Sequence, residues 1–201
     1  LLTLRVAIVA VALGLLPGVL LGVWFARSKS PFVLGVEALV MAPLVLPPVA
    51  TGLLLLILFS HLPLLHSLPF TWWAASVAAA VMALPLIVSS VRTAVRGVDP
   101  ELEAVARTLG AGPLRVLRSI TLPLSWRGIV AGGLLAFCKA IGEFGATMVV
   151  AGNIPGRTRT LALGIYTYSE TGQDRMAMLF VGASALLAFA ILLLARRIDR
   201  A

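Results

Sequence analysis

The sequence is poor in charge and nearly devoid of cysteine. Only 12% of its 201 residues are charged, against 60% hydrophobic, and the mean hydropathy is +1.06. A soluble globular chain carries about 25% charged and about 45–50% apolar residues. So apolar a chain cannot hide its surface in a water-soluble fold, which excludes an ordinary soluble enzyme, a disordered tail and a disulfide-stapled secreted module. The single cysteine, Cys138, excludes an intrachain disulfide and a Cys-rich metal site. Cys138 lies in an apolar run and reads as a small buried hydrophobe. Acidic residues are scarce: 8 Asp and Glu stand against 16 Lys and Arg, a net charge of +8. The basic residues flank long apolar runs instead of forming a stripe, so they report membrane topology and not nucleic-acid binding. His61 and His66, in a Pro-containing stretch without a nearby acid or thiol, read as a solvated loop and not as a metal site.

What is present is a series of apolar runs long enough to span a bilayer, which needs roughly 20 residues. Five qualify: residues 1–26, 32–59, 72–91, 126–151 and 176–195. Pro17-Gly18 is expected to interrupt the first, and Pro43, Pro47 and Pro48 lie in the second. The first run is too long for a signal-peptide core and no A-x-A pattern follows it. The chain begins with Leu, not Met, which leaves room for a longer native N-terminus. Trp72 and Trp73 read equally well as an interfacial belt and as helix packing. Eleven basic residues (Arg27, Lys29, Arg92, Arg96, Arg107, Arg115, Arg118, Arg127, Arg196, Arg197, Arg200) fall on one side and four (Arg5, Arg157, Arg159, Arg175) on the other. The richer side is assigned to the cytoplasm, which puts the N-terminus outside and the C-terminus inside. Residues 1–201 form one transmembrane domain, with a long cytoplasmic loop over 92–125 and a long external loop over 152–175.

The cytoplasmic loop holds a short helix. Asp99 suits the N-cap, Pro100 the first helical position, and Glu101 and Glu103 complement the positive end of the dipole. Leu102, Val105, Ala106 and Leu109 share one face, and Gly110, Gly112 and Pro113 end the helix after about ten residues. A helix that short needs packing to persist. It either lies on its own bundle or is presented to a cytoplasmic partner.

Two patterns mark the spans. Three prolines in 42–52 remove amide donors from the second, and broken backbone at membrane depth is tolerated only inside protein or beside a water-filled path. Pro47, Pro48 and Thr51 therefore belong either to a bendable, path-lining helix or to a static kink. In the fourth span Lys139 and Glu143 are i, i+4 and should share a helix face, with Thr147 one turn further. Charges at such positions pair or meet water, so this pair is either a structural lock or a gate element. Outside the membrane, Asn153, Arg157, Thr158 and Arg159 offer donors for docking an external partner, or else form a solvated turn at Pro155-Gly156.

Gly110, nine intervening residues, then Ile120-Thr121-Leu122-Pro123 resembles the E-A-A-x3-G-x9-I-x-L-P signature of ABC importer permeases. Counting back from Gly110 places E-A-A on Ala104-Val105-Ala106, so the acid stands one residue early, as Glu103. Ile141-Gly142-Glu143-Phe144-Gly145-Ala146-Thr147, Asn153 to Thr160 and Leu44-Val45-Leu46-Pro47-Pro48-Val49 extend the resemblance to the molybdate-type permeases, with sulfate-type permeases as close relatives. The resemblance implies an all-α transmembrane bundle of the type I ABC importer permease kind. Residues 101–112, among them Ala111, become a coupling helix and turn that enter a groove on an ATPase. Implied partners are a second copy of the permease, two ATPase subunits, and an external binding protein that delivers molybdate or tungstate. No phosphate-loop G-x-x-x-x-G-K-[ST] is present, and the two lysines, Lys29 and Lys139, lack a glycine frame. ATP and its magnesium are thus expected on the partner ATPase, with no cofactor, metal site or catalytic residue on this chain. Three rivals stand beside this reading. They are a secondary transporter or channel using the Lys139–Glu143 pair, a membrane-embedded enzyme, and a permease for sulfate or another oxyanion.

Overall fold

The computed structural model of the chain describes residues 1–28 and 30–200, except the side chains of 192 and 194–200. Lys29 of the topology count lies outside the described residues, as do the side chains of Arg196, Arg197 and Arg200. Every element is helical among the described residues: α1 Leu2–Arg27, α2 Pro31–Val45, α3 Pro48–His61, α4 Trp72–Arg96, α5 Pro100–Thr108, α6 Pro113–Val116, α7 Leu122–Ile141, α8 Gly145–Ala151, α9 Leu161–Glu170 and α10 Asp174–Arg200. A π-helical segment, Leu117–Thr121, joins α6 to α7. Four helical stretches are long and apolar enough to cross a membrane, or five if α2 and α3 count as one span. This is the expected all-α polytopic bundle.

Helix α4 is the central post. Two-thirds of its membrane window is buried (67%), against 11% for α10. Its buried face is rich in small residues, Ala74, Ala75, Ala78, Ala79 and Ala83, which let neighbouring backbones approach. Helices α1 and α7 do so through glycine. A Cβ on Gly18 would lie 2.6 Å from Ile87, and one on Gly128 would lie 2.2 Å from Ala94. The helix α1 runs unbroken through Pro17, contrary to the expected interruption. Proline's fixed φ is helical and only one main-chain bond is lost, while the Gly14, Gly18 and Gly22 face is clamped on α4. Cys138 is exposed, not buried, because Ala136 and Ala140 occupy the inward face of α7.

The second span is not one bent helix but two, inclined at 117°. Prolines 47 and 48 donate no main-chain hydrogen bonds, and each proline disfavours helical ψ in the residue before it. Leu46 and Pro47 are accordingly extended, with ψ of 143° and 133°. The fourth span also differs from expectation. Its helix starts at Pro113, inside the expected loop, and runs as one 29-residue stretch to Ile141. It breaks at Gly142–Phe144 and resumes as α8. The external loop is shortened likewise by α9.

Two polar ends follow from contacts distant in sequence. At one end Thr3 Oγ1 accepts from Leu161 N (2.9 Å) and Phe70 N donates to Val150 O (2.9 Å). At the other, Arg27 pairs with Glu103 and Arg92 with Glu37. The start of α1 thus shares an end with α9, and its last turn shares an end with α5. These contacts group the N-terminus with the turn before α9, and the end of α1 with the loop that carries α5.

Candidate functional site

Helix α5 forms as its sequence dictates. Asp99 Oδ1 accepts from Glu101 N at 2.8 Å, and Pro100 opens the helix. Gly110 takes φ +83°, a left-handed conformation that favours glycine, and turns the chain toward α6. The helix is held inside out relative to an ordinary surface helix. Its apolar residues Leu102, Val105 and Leu109 are 49%, 58% and 82% exposed, whereas Glu103 is 5% exposed. Glu101 and Gly112 are exposed, and Ala106 and Ala111 half-buried. Glu103 Oε1 accepts from the Arg27 guanidinium and from Thr121 Oγ1 (2.7 Å), while Arg107 stands 3.7 Å from Oε2. Of the expected coupling residues, Glu103 is thus turned into its own bundle and the apolar set is turned away from it. Arg27 and Thr121 were not read from sequence as part of this site, since they lie 76 and 18 residues from Glu103.

The second constellation is formed where both broken spans meet. Helix α3 packs along α8, so closely that a Cβ on Gly52 would lie 2.8 Å from Ala146 backbone. Glu143 is not on the same helix as Lys139, contrary to the i, i+4 reading: it sits in the break. The pair nevertheless forms, with Lys139 Nζ 3.0 Å from Glu143 Oε2. Glu143 Oε1 also accepts from Ala146 N at 3.1 Å and caps α8. A single buried carboxylate thus holds α7 to α8 across the gap. An open recess of about 270 Å³ is lined here by Pro48, Val49, Lys139, Gly142, Glu143, Phe144 and Gly145. It gathers Pro48, Lys139 and Glu143 from the expected pathway set. Thr51 and Thr147 are buried on α3 and α8, and Thr51 Oγ1 has no hydrogen-bond partner among the described residues. Pro47 is exposed at the α2–α3 break. Because Glu143 is paired with Lys139, the recess carries no unopposed cation from this pair.

The third constellation is the turn before α9. Arg159 Nε donates to Asn153 Oδ1 (2.9 Å), Asn153 Nδ2 donates to Thr167 Oγ1, and the Arg159 guanidinium stands 5.7 Å from the Tyr168 ring centre. These residues bind the turn to α9. Thr158 is 1% exposed; its hydroxyl accepts from Ile154 N at 2.9 Å and shapes the turn from within. It offers no donor outward, which corrects its place among the docking residues. Arg157 is the exposed member of the set.

Residues 18–201 match the family described as the binding-protein-dependent transport system inner membrane component. The chain is 40% identical over 204 residues to the molybdenum transport system permease protein ModB of Escherichia coli (strain K12), covering 96% of this chain and 89% of that protein. It is 38% identical over 202 residues to ModB of Mycobacterium tuberculosis (strain ATCC 25618 / H37Rv), covering 95% and 76%. Its fold matches a chain of the MetNI methionine ABC transporter in an inward-facing conformation, with a TM-score of 0.81 over 99% of this chain and 92% of that one at 21% identity. The family match, the likeness along nearly the whole chain and the shared fold agree: the chain belongs to the inner membrane components of binding-protein-dependent transport systems, as a multi-pass transport component and not a catalyst.

Proposed function

We propose that the chain is the membrane-spanning subunit of an ATP-driven importer that passes molybdate or tungstate inward by alternating access. The observation that carries this is the 40% identity to a molybdenum permease along 96% of the chain. The exposed apolar face of α5 supports a cytoplasmic ATPase as its partner, since Leu102 is half exposed and Leu109 largely exposed. ATP and magnesium belong to that ATPase. Two permease copies enclose the path, two ATPase subunits dock on their α5 helices, and an external binding protein docks over the Asn153–Arg159 turn, with Arg157 as its exposed cation. The N-terminus lies outside and the C-terminus in the cytoplasm, a placement supported by the eleven-to-four distribution of basic residues. The pathway runs by the α3–α8 contact, and the Lys139–Glu143 recess belongs to its gate. Closure of the ATPases moves α5, and α5 moves the spans as packed bodies sliding past one another.

The test is ATP hydrolysis by the assembled complex. Molybdate-loaded binding protein is expected to stimulate it, and sulfate-loaded protein is not. Hydrolysis indifferent to the binding protein would overturn the reading. Stimulation by sulfate would keep the mechanism and change the cargo to the sulfate alternative.

A further inference from the structure

We propose that Glu103 is a positioning residue through which movement of α5 reaches two spans at once, the end of α1 and the start of α7. The inference rests on the importer reading and assigns a mechanical role inside it. Helix α5 has nine residues, too few to be stable alone, and its apolar face is turned away from its own chain. Among the described residues, no main-chain hydrogen bond joins residues 100–108 to α1, α4 or α7. The polar tie to those elements is the Glu103 carboxylate, whose side chain is 7% exposed. One oxygen takes both the Arg27 guanidinium, in the last turn of α1, and the Thr121 hydroxyl at 2.7 Å, in the π-helical segment leading into α7.

The two receiving points differ in stiffness. Arg27 ends a 26-residue helix clamped on α4 through its glycine face, so a pull there moves the whole rod. Thr121 lies in a register defect; π-segments inside α-helices are places where a helix absorbs or takes up a shift. A charge-assisted hydrogen bond is short and directional, and the Glu103 end of this one is 7% exposed, so a displaced carboxylate draws both donors with it. The early placement of this acid relative to the family signature thus has a structural use. It turns the carboxylate inward while Leu102, Val105 and Leu109 remain outward.

The experiment uses the full complex with ATPase and binding protein in proteoliposomes, and reads molybdate transported per ATP hydrolysed together with co-purification of the ATPase. Glu103→Gln is expected to co-purify with the ATPase yet lower the transport-to-hydrolysis ratio by about tenfold, the effect of one charged hydrogen bond. Thr121→Val is expected to lower it less, and the exchange Arg27→Glu with Glu103→Arg to recover part of the ratio. If Glu103→Gln does not assemble, Thr121→Val and Arg27→Gln carry the same prediction. A wild-type ratio in the assembled variants overturns the inference, and so does a loss of ATPase binding that accounts for all lost transport. A wild-type complex without ATP-dependent uptake overturns the importer reading, and this inference with it. A coupled wild type beside an equally coupled Glu103→Gln overturns the inference alone.

Discussion

Gly145 and Pro48 meet where both broken spans are interrupted: a Cβ on Gly145 would stand 2.8 Å from Pro48 Cβ and 3.3 Å from Val49 N. The position tolerates only hydrogen, because one neighbour is a rigid ring and the other backbone. Gly145→Val is therefore expected to push α3 from α8, at a cost of about 1–3 kcal/mol for overpacking. A lowered thermal midpoint with loss of uptake is the expected result. Unchanged uptake would show that the two breaks need not touch.

The Lys139–Glu143 pair makes a separable prediction. Glu143→Ala removes both the ion pair and the Ala146 cap, whereas Glu143→Gln keeps an acceptor for the cap. Glu143→Ala is expected to be the more damaging. A double-mutant cycle between Lys139→Ala and Glu143→Ala should give a coupling of about 0.5–3 kcal/mol, with the double variant less impaired than the sum. Strictly additive losses in uptake and thermal stability would mean that the ion pair contributes nothing to either.

Leu102 and Leu109 test the outward face of α5. When both are replaced with Asp, the change at Leu109, 82% exposed, leaves the bundle's own contacts largely intact, and Leu102, 49% exposed, gives up only part of its cover. Membrane insertion is expected to persist while ATPase co-purification falls below detection. Normal co-purification would remove α5 from the contact.

Tight packing of α1 on α4 supplies the last variant. A Cβ on Gly22 would lie 2.7 Å from Val91 Cβ, whereas Gly35 has nothing within 4 Å. Gly22→Val is expected to destabilise the chain by about 1–3 kcal/mol, and Gly35→Ala, which adds a helix-favouring methyl in open space inside α2, to leave the thermal midpoint unchanged or slightly raised. Equal midpoints for the two variants would contradict the fold described here.

Local signals were legible in the sequence, and long-range ones were not. Asp99 and Pro100 start α5 where their chemistry says they should, because a cap is decided by adjacent residues. Hydropathy found the long apolar runs, and the prolines marked the broken backbone of the second, but not its 117° angle. Nothing local marked the interruption at Gly142–Phe144. Hydropathy also set the start of the fourth long helix too late, since the polar residues around Arg115 and Arg118 depress it where the helix has already begun. The inward turn of Glu103 could not be read, because its partners are fixed only when α1 and α7 come together. Thr158 looked like an outward donor for the same reason: nothing in its neighbours reveals that its hydroxyl closes the turn.

The most direct measurement is uptake of labelled molybdate into proteoliposomes holding this chain, its ATPase and its binding protein, with and without ATP and with excess sulfate. ATP-dependent uptake of molybdate or tungstate that excess sulfate does not reduce is the predicted result. Flux without ATP, or uptake that sulfate displaces, would contradict it.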